Sequence, residues 1–74
     1  MIRASIVRNG TCYSITVRQG SKMVESKTYD YIPVRVAKEY AEHQLRRLDP
    51  SATLGEWKHG VSPDGLKTWN ITQA

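Results

Sequence analysis

Residues 2–18 read Ile2-Arg3-Ala4-Ser5-Ile6-Val7-Arg8-Asn9-Gly10-Thr11-Cys12-Tyr13-Ser14-Ile15-Thr16-Val17-Arg18. Asn-Gly favours a two-residue hairpin turn, because both central positions of a type I′ turn need φ > 0. A turn at Asn9-Gly10 sets Arg8 opposite Thr11, Val7 opposite Cys12, Ile6 opposite Tyr13, Ala4 opposite Ile15 and Ile2 opposite Val17. Side chains alternate across a strand. One face of the ribbon is then Ile2, Ala4, Ile6, Tyr13, Ile15 and Val17. The other is Arg3, Ser5, Val7, Cys12, Ser14, Thr16 and Arg18. A one-residue slip would mix the two sets, so the segregation supports a hairpin with one buried face.

Outward from this hairpin, Gly20-Ser21 puts glycine where a type II′ turn needs it, and a third strand is expected over about 22–29. Pairing Arg18 with Met23 places Val24 and Thr28 beside the apolar face and sends Glu25 and Lys27 to the polar one. With little apolar content, this strand is expected at a sheet edge. Pro33 suits the first turn of a helix, and Asp49-Pro50 stops it, giving a helix over 33–48. Val34, Ala37, Ala41, Leu45 and Leu48 make an apolar stripe at three- and four-residue spacing. Ser62-Pro63-Asp64-Gly65 is a turn signal between two further strands, which predicts a C-terminal hairpin over 54–72 with Trp57, Trp69 and Ile71 toward the core. The expected fold is α+β: one domain over residues 1–74, elements in the order β-β-β-α-β-β, and an amphipathic helix packed on the apolar face of an antiparallel sheet. Whether the last hairpin extends the main sheet is left open by the pattern.

The chain has 74 residues, a net charge of +4, one cysteine and no phenylalanine. One cysteine cannot form an internal disulfide, and a domain this small has a thin core. No apolar run of about 18 residues and no signal-peptide pattern occurs, so no membrane contact is expected and a cytoplasmic location is. The charge is uneven. Residues 1–47 carry nine Lys/Arg against four acids, whereas residues 48–74 carry Lys58 and Lys67 against Asp49, Glu56 and Asp64. A local basic excess favours polyanions or acidic protein surfaces.

Catalytic chemistry finds little support. Cys12, His43 and His59 fall on three different elements with no metal-ligand spacing, so neither metal nor cofactor is expected. Cys12 has no base beside it in the pattern, and Glu39 with His43 reads as a solvated i,i+4 pair. The glycines stand singly rather than in a phosphate loop. The chain is read as a non-enzyme.

Two sets of residues carry the functional reading. Arg3, Arg18 and Lys27 alternate with Ser14 and Thr16 on the polar sheet face, with Arg8 and Lys22 at the turns. Cations neutralise phosphates and short hydroxyls bond phosphate oxygens or base edges, so this set is the candidate nucleic-acid surface, with duplex DNA as the partner. Trp57, His59 and Trp69 form the second set, a candidate protein-binding surface. An edge strand could also pair two copies into a homodimer.

Residues 2–48 resemble the three-stranded-sheet-plus-helix DNA-binding module at the N terminus of many tyrosine-recombinase integrases. Arg8-Asn9-Gly10-Thr11-x-Tyr13, Lys27-Thr28-Tyr29-Asp30 and Ala37-x-x-Tyr40-Ala41 carry the resemblance. It implies that the sheet face away from the helix reads DNA, which falls on Arg3, Ser14, Thr16, Arg18 and Lys27. The catalytic domain that such modules normally lead into is not in these residues, and Leu54–Thr72 is extra. In size and build the chain also resembles small phage-encoded inhibitors of host polymerases, nucleases or CRISPR effectors. That resemblance implies a host protein as the alternative partner.

Overall fold

Five strands and one helix form in the order the sequence predicts. The computed structural model describes all residues, 1–74. The elements are β1 (Ile2–Asn9), β2 (Cys12–Gln19), β3 (Lys22–Asp30), α1 (Val34–Leu48), β4 (Lys58–Val61) and β5 (Lys67–Thr72). All strands join one antiparallel sheet in the order β3-β2-β1-β5-β4. The C-terminal hairpin thus extends the main sheet, and β1 becomes its central strand.

The first hairpin turns one residue later than expected. Asn9 pairs with Cys12, leaving Gly10 and Thr11 as the turn. Gly10 takes φ 63°, and neither Asn9 nor Thr11 has positive φ. This glycine-first arrangement adds one cross-strand pair relative to an Asn9-Gly10 turn. Ile6 consequently faces Ile15, and Ala4 faces Val17. The register has moved by two residues, an even number, so every side chain keeps its expected face.

The second hairpin turns at Gly20-Ser21 as expected, with Gly20 at φ 61° and Arg18 opposite Met23. A β-bulge follows. The register shifts between Val17 and Arg18, so that Val17 faces Glu25 and Val24 is the extra residue. An extra residue reverses the facing of everything beyond it. Glu25, Lys27 and Tyr29 therefore lie opposite Val17, Ile15 and Tyr13 on the helix side. Ser26 and Thr28 join Thr16 and Ser14 on the other face. This corrects the expectation for Glu25, Lys27 and Thr28. Val24 does sit beside the apolar face, at the rim of a groove with Val17 and Leu48.

The helix starts at Val34, with Pro33 as its extended N-cap rather than its first helical residue. The Pro33 carbonyl accepts from Val36 and Ala37, and Arg46 and Arg47 occupy the last turn, where cations suit the helix dipole. Ala37, Ala41 and Leu45 are fully buried against β1 and β2. They meet Ile2, Ala4, Ile6, Tyr13, Ile15, Val17 and Ile71 in one core. Only β5 makes the expected second strand of the last hairpin at full length. Residues 54–57 run alongside the end of β5 instead of forming a strand, with Leu54 bridged to Gln73 and the Gly55 N–H bonded to the Thr72 carbonyl. The loop between β4 and β5 closes on Ser62-Pro63-Asp64-Gly65, where the Gly65 N–H donates to the Ser62 carbonyl at 2.9 Å. No helix is long and apolar enough to cross a membrane.

Candidate nucleic-acid interface

The helix covers one face of the sheet and leaves the other open. Cross-strand pairing orders that open face into rows. One row runs Ser26, Thr16, Ser5, Asn70, Lys58, from β3 to β4. A second runs Thr28, Ser14, Val7, Thr68, Gly60. A third runs Met23, Arg18, Arg3, Thr72. Hydroxyls and amides dominate, and some bond one another. The Ser5 hydroxyl donates to Asn70 Oδ1 at 2.7 Å, and the Ser14 and Thr28 hydroxyls lie 3.3 Å apart.

Arg3 and Arg18 are direct cross-strand partners on this face. Like charges placed opposite one another destabilise a sheet. Neither forms an ion pair: the three that exist, Lys27–Glu25, Arg35–Glu39 and Arg46–Glu42, are all on the helix side. Lys58 is a third cation on the open face and is also without an acidic partner. The one acid with this facing is Asp30, at the far corner beside Cys12. The face thus combines short polar side chains with uncompensated positive charge. It carries no aromatic ring, since Tyr13, Tyr29 and Trp69 all have the opposite facing.

The remaining residues of the expected surface lie elsewhere. Lys27 is on the helix side, where its ammonium forms an ion pair with Glu25 at 3.6 Å and lies 5.8 Å from the centre of the Tyr40 ring. Arg8 faces Tyr13 at the end of β1, and its Nε–H donates to the Gly10 carbonyl. With Lys67 and the two glycine turns it lines an open hollow of about 340 Å³ at one end of the sheet. Lys22 pairs with Gln19 at the opposite end. Arg3, Ser14, Thr16 and Arg18 are therefore brought together, while Lys27, Arg8 and Lys22 are not. Lys58, Thr68, Asn70 and Thr72 were missed. Their signal was present, because Thr68, Asn70 and Thr72 alternate with Trp69 and Ile71, but the sequence did not reveal that β5 pairs with β1.

The aromatic set divides in two. Trp69 packs on the core between Tyr13, at 5.8 Å between ring centres, and His59, stacked at 5.0 Å. Trp57 lies against the helix flank, where its Nε1–H donates to Glu42 at 3.0 Å and Lys38 approaches its ring. On the opposite flank Tyr40 donates to Glu25 and meets Tyr29 edge-on. Burial, and then the bond to Glu25, hold the Tyr40 phenol well above its ordinary pKa. These rings supply the volume that phenylalanine would provide elsewhere. No three His, Cys, Asp or Glu side chains converge. Compared with protein-family models, curated proteins and solved structures, the chain matches none.

Proposed function

We propose that this chain is a non-catalytic module that binds duplex nucleic acid through the open face of its sheet. The observation that carries the reading is the Arg3–Arg18 pair, two cations held opposite each other with no carboxylate to offset them. A phosphate between them would relieve the repulsion and accept hydrogen bonds from both guanidiniums. The neighbouring serines, threonines and Asn70 offer further bonds to backbone oxygens. The likeness of residues 2–48 to the integrase module supports the same face.

Two features narrow the mode. Without an aromatic ring the face offers no stacking platform, which favours a duplex over a single strand. Its five strands at about 4.8 Å spacing span roughly 19 Å. That exceeds the major groove, which is about 12 Å wide, so the face would rest on the flanking phosphate ridges and read sequence weakly. A host protein at Trp57, His59 and Trp69 is the second partner class, but both indoles pack on the core and leave mainly His59 exposed.

Fluorescence anisotropy with a labelled duplex, titrated across salt concentrations, tests the reading. Each lost phosphate contact should lower the log–log salt slope by about 0.9, so Arg3→Ala with Arg18→Ala should lower it by about 1.8. Lys27→Ala, on the opposite face, should leave it unchanged. A slope that ignores the double substitution, or follows Lys27, overturns the assignment.

A further inference from the structure

The two edges of the sheet are unequal. β4 has four residues, whereas β3 has nine, and no element covers its outer side. We propose that two copies of the chain pair through β3, antiparallel, about a two-fold axis at Ser26.

The backbone first restricts the possible pairings. The Tyr31 N–H donates to the Thr11 carbonyl, so this pair is hydrogen-bonded. Hydrogen-bonded and non-hydrogen-bonded pairs alternate in an antiparallel ladder. Asp30, Thr28 and Ser26 therefore point their N–H and C=O groups away from β2, toward the open edge. A second strand must pair with those residues, which fixes the parity of the register. Of the two-fold pairings near the middle of β3, one sets Glu25 against Glu25 of the other copy, and another sets Lys27 against Lys27. The pairing centred on Ser26 sets Glu25 against Lys27 of the other copy, twice over.

Beyond Glu25 the extra residue Val24 changes the count by one, so Met23 falls opposite Thr28 of the other copy, both on the open face. Met23 and Val24 are two of the large apolar residues left exposed, at 51% and 42%. Both would gain neighbours. Opposite charges across strands stabilise pairing where like charges oppose it, so the strand reads as self-complementary rather than self-repelling. The bulge at Val24 confines regular hydrogen bonding to the central residues, which implies a weak, concentration-dependent dimer. The product is a continuous ten-stranded sheet whose open face repeats the Arg3–Arg18 pair.

Sedimentation velocity over a wide range of loading concentrations tests this. The chain should shift from monomer toward dimer as concentration rises. Ser26→Pro should abolish the shift, because it removes an N–H that β2 does not use, as prolines on sheet edges do. Register is read by cross-linking in a Cys12→Ser background. Ser26→Cys should oxidise to a covalent dimer, since its partner lies within disulfide reach, whereas Thr28→Cys, displaced from the axis, should not. A chain that stays monomeric throughout, or that cross-links through Thr28→Cys as readily as through Ser26→Cys, overturns the proposal. If Ser26→Pro fails to fold, the cross-linking pair decides alone.

Discussion

The Arg3–Arg18 opposition can be measured as a stability cost, independently of any ligand. Arg3 is exposed, so replacing it disturbs little packing. Two unit charges about 6 Å apart in water interact by about 0.7 kcal/mol. Screening at physiological salt, with a Debye length of about 8 Å, leaves roughly half of that. Arg3→Gln should therefore stabilise the fold by about 0.3 kcal/mol, and Arg3→Glu, which turns repulsion into attraction, by about 0.7 kcal/mol. That lies within the usual range of about 0.2–1 kcal/mol for cross-strand pairs. For a domain of this size about 1 kcal/mol moves the melting temperature by about 4–8 °C, so Arg3→Glu should melt about 3–6 °C higher. Thermal unfolding followed by circular dichroism at low and high salt is the assay. The salt response should differ in sign: salt screens a repulsion in the wild type and an attraction in Arg3→Glu. The same substitution should weaken duplex binding. An Arg3→Glu variant less stable than Arg3→Gln at low salt would refute the argument that the two guanidiniums repel each other.

Two other perturbations test the flanks of the sheet. Tyr40→Phe removes the donor to Glu25 and should cost about 1–2 kcal/mol at neutral pH. Because the folded phenol titrates above its unfolded value of 10.0, that contribution is complete below pH 10 and fades as pH rises further. The gap between wild type and Tyr40→Phe in urea melts should narrow above pH 10; a constant gap would count against the bond. Tyr31 sits at φ 56° with 81% of its surface exposed, a conformation that costs a residue with a Cβ about 1–2 kcal/mol. Tyr31→Gly relieves that strain but frees the unfolded chain, for a net gain of up to about 1 kcal/mol. A lower melting temperature would show that the ring contributes more than its exposure suggests.

The faces of the first hairpin were legible because alternation survives any even shift in register. Moving the turn from Asn9-Gly10 to Gly10-Thr11 changed every partner and no facing. Lys27 was misplaced for the converse reason: a bulge changes the count by one, and nothing in Met23-Val24-Glu25 marks it. The helix stripe was legible from spacing alone, since Ala37, Ala41 and Leu45 are the residues buried. The part of the open face supplied by β4 and β5 was not. Alternation says which residues of β5 share a side, but the choice of β1 as its neighbour comes from long-range packing, with Ile71 beside Ala4 and Trp69 beside Ile6.

The central position of β1 has a consequence for how the chain must come together. It is synthesised before the other four strands, yet one of its two neighbours, β5, lies more than 60 residues away along the chain. Until β5 arrives, the nascent three-stranded sheet shows an open flank along Ile2, Ala4 and Ile6, all of them buried in the finished fold. Closing so long a loop is slow compared with forming the two hairpins. The most vulnerable moment in the life of this protein is therefore its synthesis, when its innermost strand is briefly its outermost.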